Sequence, residues 1–267
     1  MIDVLKQQFK PSMDVGERIN RVREFLQILC LKIIHDKGYF KDMAFVGGTA
    51  LRILYDLRRF SEDLDFSVIR EEEYDFLKII RTLTSELELY GFDVESKNSV
   101  DKTVQGSFLK FNRLLNKLGL SQIKEQKLSI KVEVGSNPPK GWNLQTTLIN
   151  KTYIFNISHF DLPSLYATKL HACFFRKFIK GRDFYDLLWY LGRKAKPNFI
   201  LLNNAIEQTE GKDLRLGEGN FKDFLLEKLE NVDFTSVRKD VGRFLEDKKE
   251  LELLDFELIK KSIIKIQ

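Results

Sequence analysis

The sequence predicts an α+β chain in two parts, an N-terminal mixed sheet with helices over 1–157 and a C-terminal helical bundle over 158–267. Three observations carry that prediction. Up to about residue 157, short apolar runs bounded by Gly, Pro and polar turns alternate with amphipathic helical patterns. From "FDLPSLYATKLHACFFRKF" onward, helical spacing takes over. Between strand-like "MAFV" and strand-like "LDFSV", the stretch "GGTALRILYDLRRFSEDLD" (47–65) sets two glycines at the mouth of a short helix and two aspartates just beyond its end.

Taken in order, Ile19, Val22, Leu26, Leu29 and Ile33 recur at helical spacing and Gly38 follows as a stop, which predicts a helix over roughly 15–36. "MAFV" (43–46) reads as a buried strand breaking into a turn at Gly47-Gly48, and Thr49 as the cap of the helix carrying Leu51, Leu54 and Tyr55. "LDFSV" (64–68) is a second strand, and Ile79, Ile80, Leu83 and Leu87 mark a helix over roughly 72–90. Strands are expected at 92–96, 103–112, 127–134 and 152–157. Asp161 is placed to cap the next helix with Pro163 in its first turn. Helical segments follow near 182–192, 197–208, 219–231, 235–246 and 250–264.

With 267 residues and 43% hydrophobic content, including 22 Phe, the chain fills a substantial core. No apolar run reaches the roughly 18 residues of a membrane span, so a cytoplasmic protein with no membrane partner is expected. Cys30 and Cys173 lie in apolar helical patterns and read as buried reduced thiols; three scattered histidines argue against a zinc site. Of the net charge of +5, an equal excess falls within 160–196, where eight Lys/Arg face three acids. A basic stretch of this kind fits phosphate-rich partners, and equally a solvated helix face.

Residues two apart on a strand share a face, so Asp63 and Asp65 present both carboxylates together while Leu64 and Phe66 turn into the core. One divalent cation can bridge such a pair, and Mg²⁺ prefers these hard oxygens; two exposed acids at a strand edge are the plain alternative. The glycine turn lets backbone N–H groups approach a phosphate at a helix N-terminus. A triphosphate there would bring its metal-bound oxygens to the two aspartates. Glu133, on the polar face of "LSIKVEVGS" with Ser129 and Lys131, is the candidate third acid, or else simply the outer face of a half-exposed strand. By spacing alone, Lys169 reads as a solvated lysine, and Asp183 and Asp186 as surface acids pairing with Lys180 and Arg182.

"GGTALRILYDLRRFSEDLDF" and "ATKLHACFFRKFIKGRDFYDLLWYL" together resemble the AbiEii/AbiGii toxin family, which includes the MenT toxins, within the polymerase-β-like nucleotidyltransferases. The resemblance covers much of 43–192. It implies that Gly48 and Thr49 form a nucleotide-binding turn and that Asp63 and Asp65 hold Mg²⁺. It also implies that Lys169 contacts the triphosphate of the NTP substrate and that Asp183 is an active-site acid. Gly47, Ser61 and Arg182 complete the expected nucleotide contacts, and Glu133 stands where such enzymes often have aspartate. The implied activity is transfer of a nucleoside monophosphate to an acceptor, tRNA or another RNA, by a toxin of a toxin–antitoxin or phage-defence system, with a cognate antitoxin as partner. An antibiotic-type small-molecule nucleotidyltransferase and a non-catalytic nucleotide-binding module are the rival readings.

Overall fold

A computed structural model describes residues 1–100 and 103–265. In chain order the elements are α1 (Ile2–Lys6), α2 (Val15–Asp36), β1 (Met43–Val46), α3 (Gly47–Tyr55), β2 (Asp63–Val68), α4 (Phe76–Leu89), β3 (Val94–Ser99), β4 (Val104–Phe111) and α5 (Leu114–Lys117). They continue with β5 (Leu128–Gly135), β6 (Leu144–Asn150), β7 (Ile154–Phe160), α6 (Leu162–Phe175), α7 (Gly181–Gly192), α8 (Phe199–Glu210), α9 (Phe221–Glu230), α10 (Phe234–Val241) and α11 (Phe256–Ile264). The α+β class predicted from the sequence is what the chain adopts.

Two compact units divide these elements, and the chain passes between them more than once. The first comprises 1–55, 60–138 and 145–159; the second comprises 56–59, 139–144 and 160–267. The first unit is built on a seven-stranded mixed sheet ordered β3-β4-β5-β2-β1-β7-β6. β1 runs antiparallel to β2, β2 parallel to β5, and β5 antiparallel to β4. On β5, Leu128, Ile130, Val132 and Val134 are buried while the residues between them are partly exposed, the alternation a one-sided strand requires. Helix α2 packs on β5 and on α4, burying Val22, Phe25, Leu26, Leu29 and Ile33. Asp14 caps α2 by accepting from the Glu17 N–H at 2.8 Å.

The second unit is helical. α6 packs on α7 and α8, α7 on α10, and α9 on α11. Asp161 caps α6 by accepting from Ser164 N–H at 2.9 Å, with Pro163 in the first turn, as its sequence requires. Tyr166 of α6 and Tyr190 of α7 stack with ring centroids 4.1 Å apart, which fixes the pairing of these helices. Gly181 opens α7 against α10 so tightly that a Cβ there would lie 2.3 Å from the Val237 carbonyl oxygen, and its N–H donates to Asp240 Oδ2 at 2.7 Å. Cys30 and Cys173 are buried free thiols, the first pushed up to about 12 by burial. Among the described residues no helix is long and apolar enough to cross a membrane.

Candidate active site: carboxylates on the sheet and a buried charge network

In the sheet unit, β1 ends at Val46, which pairs with Asp65 across the antiparallel ladder. The chain then turns at Gly47 with φ +78°, and a Cβ on that residue would lie 2.2 Å from Asp65 Oδ2. Only glycine fits, for both conformation and space. Helix α3 therefore begins at Gly47. Thr49 lies inside its first turn instead of capping it, because the glycine already bends the chain into the helix. The Thr49 side chain is buried and its hydroxyl donates to the Asp63 carbonyl oxygen. Gln27 of α2 donates to Ser61 O at 3.1 Å and reaches Asp63 O at 3.5 Å, so the entry to β2 is held by two side chains from two helices. Ser61 itself is buried.

Asp63 and Asp65 are half-buried and alternate with buried Leu64 and Phe66. Across the parallel pair, Asp63 faces Lys131 and Asp65 faces Glu133. Glu133 accepts an ion pair from Lys131 at 2.7 Å, so the third acid has a cation of its own. Gly106 on β4 stands opposite Glu133, leaving that end of the row without a side chain. Among the described residues no three acidic, histidine or cysteine side chains converge in a metal-holding group.

In the helical unit the structure replaces the expected surface acids with a buried network. Lys169 Nζ lies 2.7 Å from Asp183 Oδ1 and 2.8 Å from Asp186 Oδ2. Asp183 also pairs with Arg176 at 2.8 Å, and Asp186 receives both Nε and Nη2 of Arg59 at 2.6 Å in a two-pronged grip. Arg59, Lys169, Asp183 and Asp186 are all buried. Sequence spacing put Asp183 and Asp186 on one helical face correctly, but that face of α7 turns toward α6 and not toward water. The Arg182 guanidinium lies 4.5 Å from the Phe244 ring centroid.

Lys169 and Asp183 hold each other in the ionised state. Burial pulls the Lys169 ammonium down, yet Asp183 and Asp186 more than offset it and its pKa is raised. Burial pushes the Asp183 carboxyl up, and Lys169 and Arg176 overcome that, leaving it below the usual carboxylate range. Cys173 donates to the Asp183 carbonyl oxygen at 3.3 Å and is raised by burial, then by the Asp183 charge.

Two members of these clusters escaped sequence reading. Arg59 stood in a charged stretch with nothing to mark it as buried, its partner lying 127 positions away. Gln27 had a usable signal, a lone amide inside the apolar run "FLQILCLKII". The basic stretch of 160–196 is exposed at Arg176, Lys177, Lys180, Arg193, Lys194 and Lys196; Arg176 is matched by Asp183 and Lys196 by Glu218, each at 2.8 Å.

A sequence model of the family described as nucleotidyl transferase AbiEii toxin, type IV toxin–antitoxin system, matches residues 30–259. Among solved structures, a Helicobacter pylori protein described as a candidate nucleotidyltransferase superposes with a TM-score of 0.53 at 19% identity, over 92% of this chain and 96% of that one. The JHP933 protein of Helicobacter pylori gives a TM-score of 0.48 at 18% identity, over 91% of this chain and 94% of that one. No curated protein matches the chain.

Proposed function

Because the chain belongs to the AbiEii nucleotidyltransferase toxin family of type IV toxin–antitoxin systems, we propose that it transfers a nucleoside monophosphate from an NTP to an RNA acceptor with Mg²⁺ at Asp63 and Asp65. The observation that carries this reading is the contact between the glycine turn and the strand: Gly47 has no room for a side chain because Asp65 occupies it. A helix entrance, whose first N–H groups have no intrahelical acceptor, and a carboxylate pair are thereby held side by side within one unit.

The donor set fits Mg²⁺, which takes one or two carboxylates and fills its remaining positions with phosphate oxygens and water. When bound, the metal supplies neutralisation of charge on the triphosphate and on the departing pyrophosphate. The chain's own residues do the rest. Gly47, Gly48 and the first turn of α3 present backbone donors to phosphate, while Thr49 and Gln27 keep Asp63 in place. The acceptor hydroxyl oxygen bonds to the α-phosphorus, the bond from that phosphorus to the bridging oxygen breaks, and the hydroxyl proton passes to a carboxylate. Glu133, opposite Asp65 and steadied by Lys131, is the candidate for that proton. Lys169 is committed to two carboxylates of its own unit, Asp183 and Asp186.

The RNA acceptor rests on the exposed cations Lys177, Lys180, Arg193 and Lys194 of the helical unit, which suit a phosphate backbone. A toxin of this kind requires a cognate antitoxin, and phage defence is a natural setting for it. The test is incubation with total RNA and each labelled NTP in Mg²⁺. Labelled RNA from the native protein, none from Asp63→Ala or Asp65→Ala, and an unchanged melting temperature for both variants are expected. Transfer by either variant near the native rate would sink the metal assignment.

A further inference from the structure

A cavity of about 570 Å³ in the helical unit lies between α7, α11, the turn before α11 and the 56–59 segment. That volume is in the range of small-ligand sites, roughly 300–1,000 Å³. Its walls are Tyr185, Leu188, Trp189, Leu253 and Leu258, an apolar surface with two aromatic rings. The Arg193 guanidinium lies over the Trp189 ring, 4.4 Å from its centroid, and so covers one of the two indole faces with a cation.

The charge of the lining is one-sided. Arg58, Arg193, Lys261 and Lys265 face a single carboxylate among the described lining residues, Glu250. Glu250 is committed to the wall: it accepts from the Tyr185 hydroxyl and pairs with Arg58 at 3.0 Å. Arg58 is answered by Glu250, and Lys261 and Lys265 add two positive charges beside the aromatic floor. A single-charged lipid anion calls for a long apolar channel and one cation. A flat, hydrogen-bonding base that carries phosphate matches both halves of the pocket.

We infer that this pocket binds a nucleotide unit, its base against Trp189 and Tyr185 and its phosphate among Arg193, Lys261 and Lys265. Free nucleotide and an unpaired nucleotide of RNA share that chemistry. None of its lining residues belongs to the sheet unit that carries Asp63 and Asp65, and the inference goes beyond transfer, since it concerns binding alone.

The experiment uses the full chain carrying Trp142→Phe, so that Trp189 is the only indole of the original two. AMP and a short single-stranded oligoribonucleotide are titrated separately, with Trp189 fluorescence and equilibrium dialysis read together. Saturable quenching is expected, with affinity falling at least about tenfold on raising salt and in Lys261→Glu/Lys265→Glu, a variant whose melt should match the parent. Quenching by AMP alone identifies a free nucleotide as the occupant, and by the oligonucleotide alone an RNA unit. Asp63→Ala keeps the Trp189 signal, so a failed transfer reaction and a failed pocket are read apart. Absence of binding by both probes, affinity indifferent to the charge reversal, or dodecanoate binding where both nucleotides fail would each overturn the inference.

Discussion

Arg59 is among the largest fully buried side chains, and Asp186 meets it with both carboxylate oxygens. Removing one partner of a buried ion pair costs about 3–5 kcal/mol. Asp186→Asn should therefore lower stability by that order, read from urea unfolding at neutral pH, whereas Asp63→Ala on the half-buried face of β2 should change stability little. The same network sets a pH window. Asp183 has a folded pKa below its unfolded value of about 4, so its contribution is present above that pH and lost as the pH falls through the folded value. Lys169 is raised, so its contribution is complete below about pH 10 and lost only as the pH climbs past the folded value. Each of these two contributions is constant between roughly pH 5 and 10, and loss of the Asp183 contribution predicts a urea midpoint that falls below about pH 4. A midpoint that holds steady as the pH is taken down from about 4 to about 2 would contradict the assignment.

At the level of elements, the packing of α7 hangs on its first residue. A Cβ at Gly181 would meet backbone, the Val237 carbonyl, which cannot swing aside as a side chain can. Gly181→Ala should cost about 1–3 kcal/mol through overpacking. Gly192→Ala, at the other end of the same helix with nothing within 4 Å of its Cβ position, should be neutral in the same thermal melts. Elements with a strong internal pattern were legible from the sequence: β1, the turn, β2, the alternating β5, and α6 with its Asp161 cap. Those without one were not. β6, "LQTTLIN", buries only Ile149 along its length and lies at the sheet edge, so its residues carry no alternation to read. The helix expected over 235–246 ends at Val241 and continues as a short 3₁₀ turn from Gly242, and the one expected over 250–264 starts only at Phe256. The site divides the same way. Asp63, Asp65 and Gly47 announce themselves by local spacing, whereas the burial of Lys169, Asp183 and Asp186 depends on which helix each faces, a long-range fact that three-residue spacing does not contain.

For the whole molecule, each compact unit carries one buried thiol, Cys30 in the first and Cys173 in the second. Neither should react with a small thiol reagent in the native protein, and both should react in denaturant. Pulse labelling across a urea gradient, with the two peptides separated by mass, should show whether the units open together or in turn; fast labelling of either cysteine without denaturant would contradict their burial. The interleaving of the units has a consequence that belongs to the moment of synthesis. Arg59 leaves the ribosome 127 residues ahead of the aspartate that neutralises it, and at about 5–20 residues per second that interval is on the order of 6–25 seconds. Over the same interval β1 waits for its parallel neighbour β7, which ends at Phe160. The nascent chain thus carries Arg59 without its Asp186 grip and β1 without its parallel neighbour until most of it has been made, so a message truncated between residues 59 and 186 yields a polypeptide lacking the carboxylate that grips its buried arginine, which is prey for proteases and not a smaller working protein.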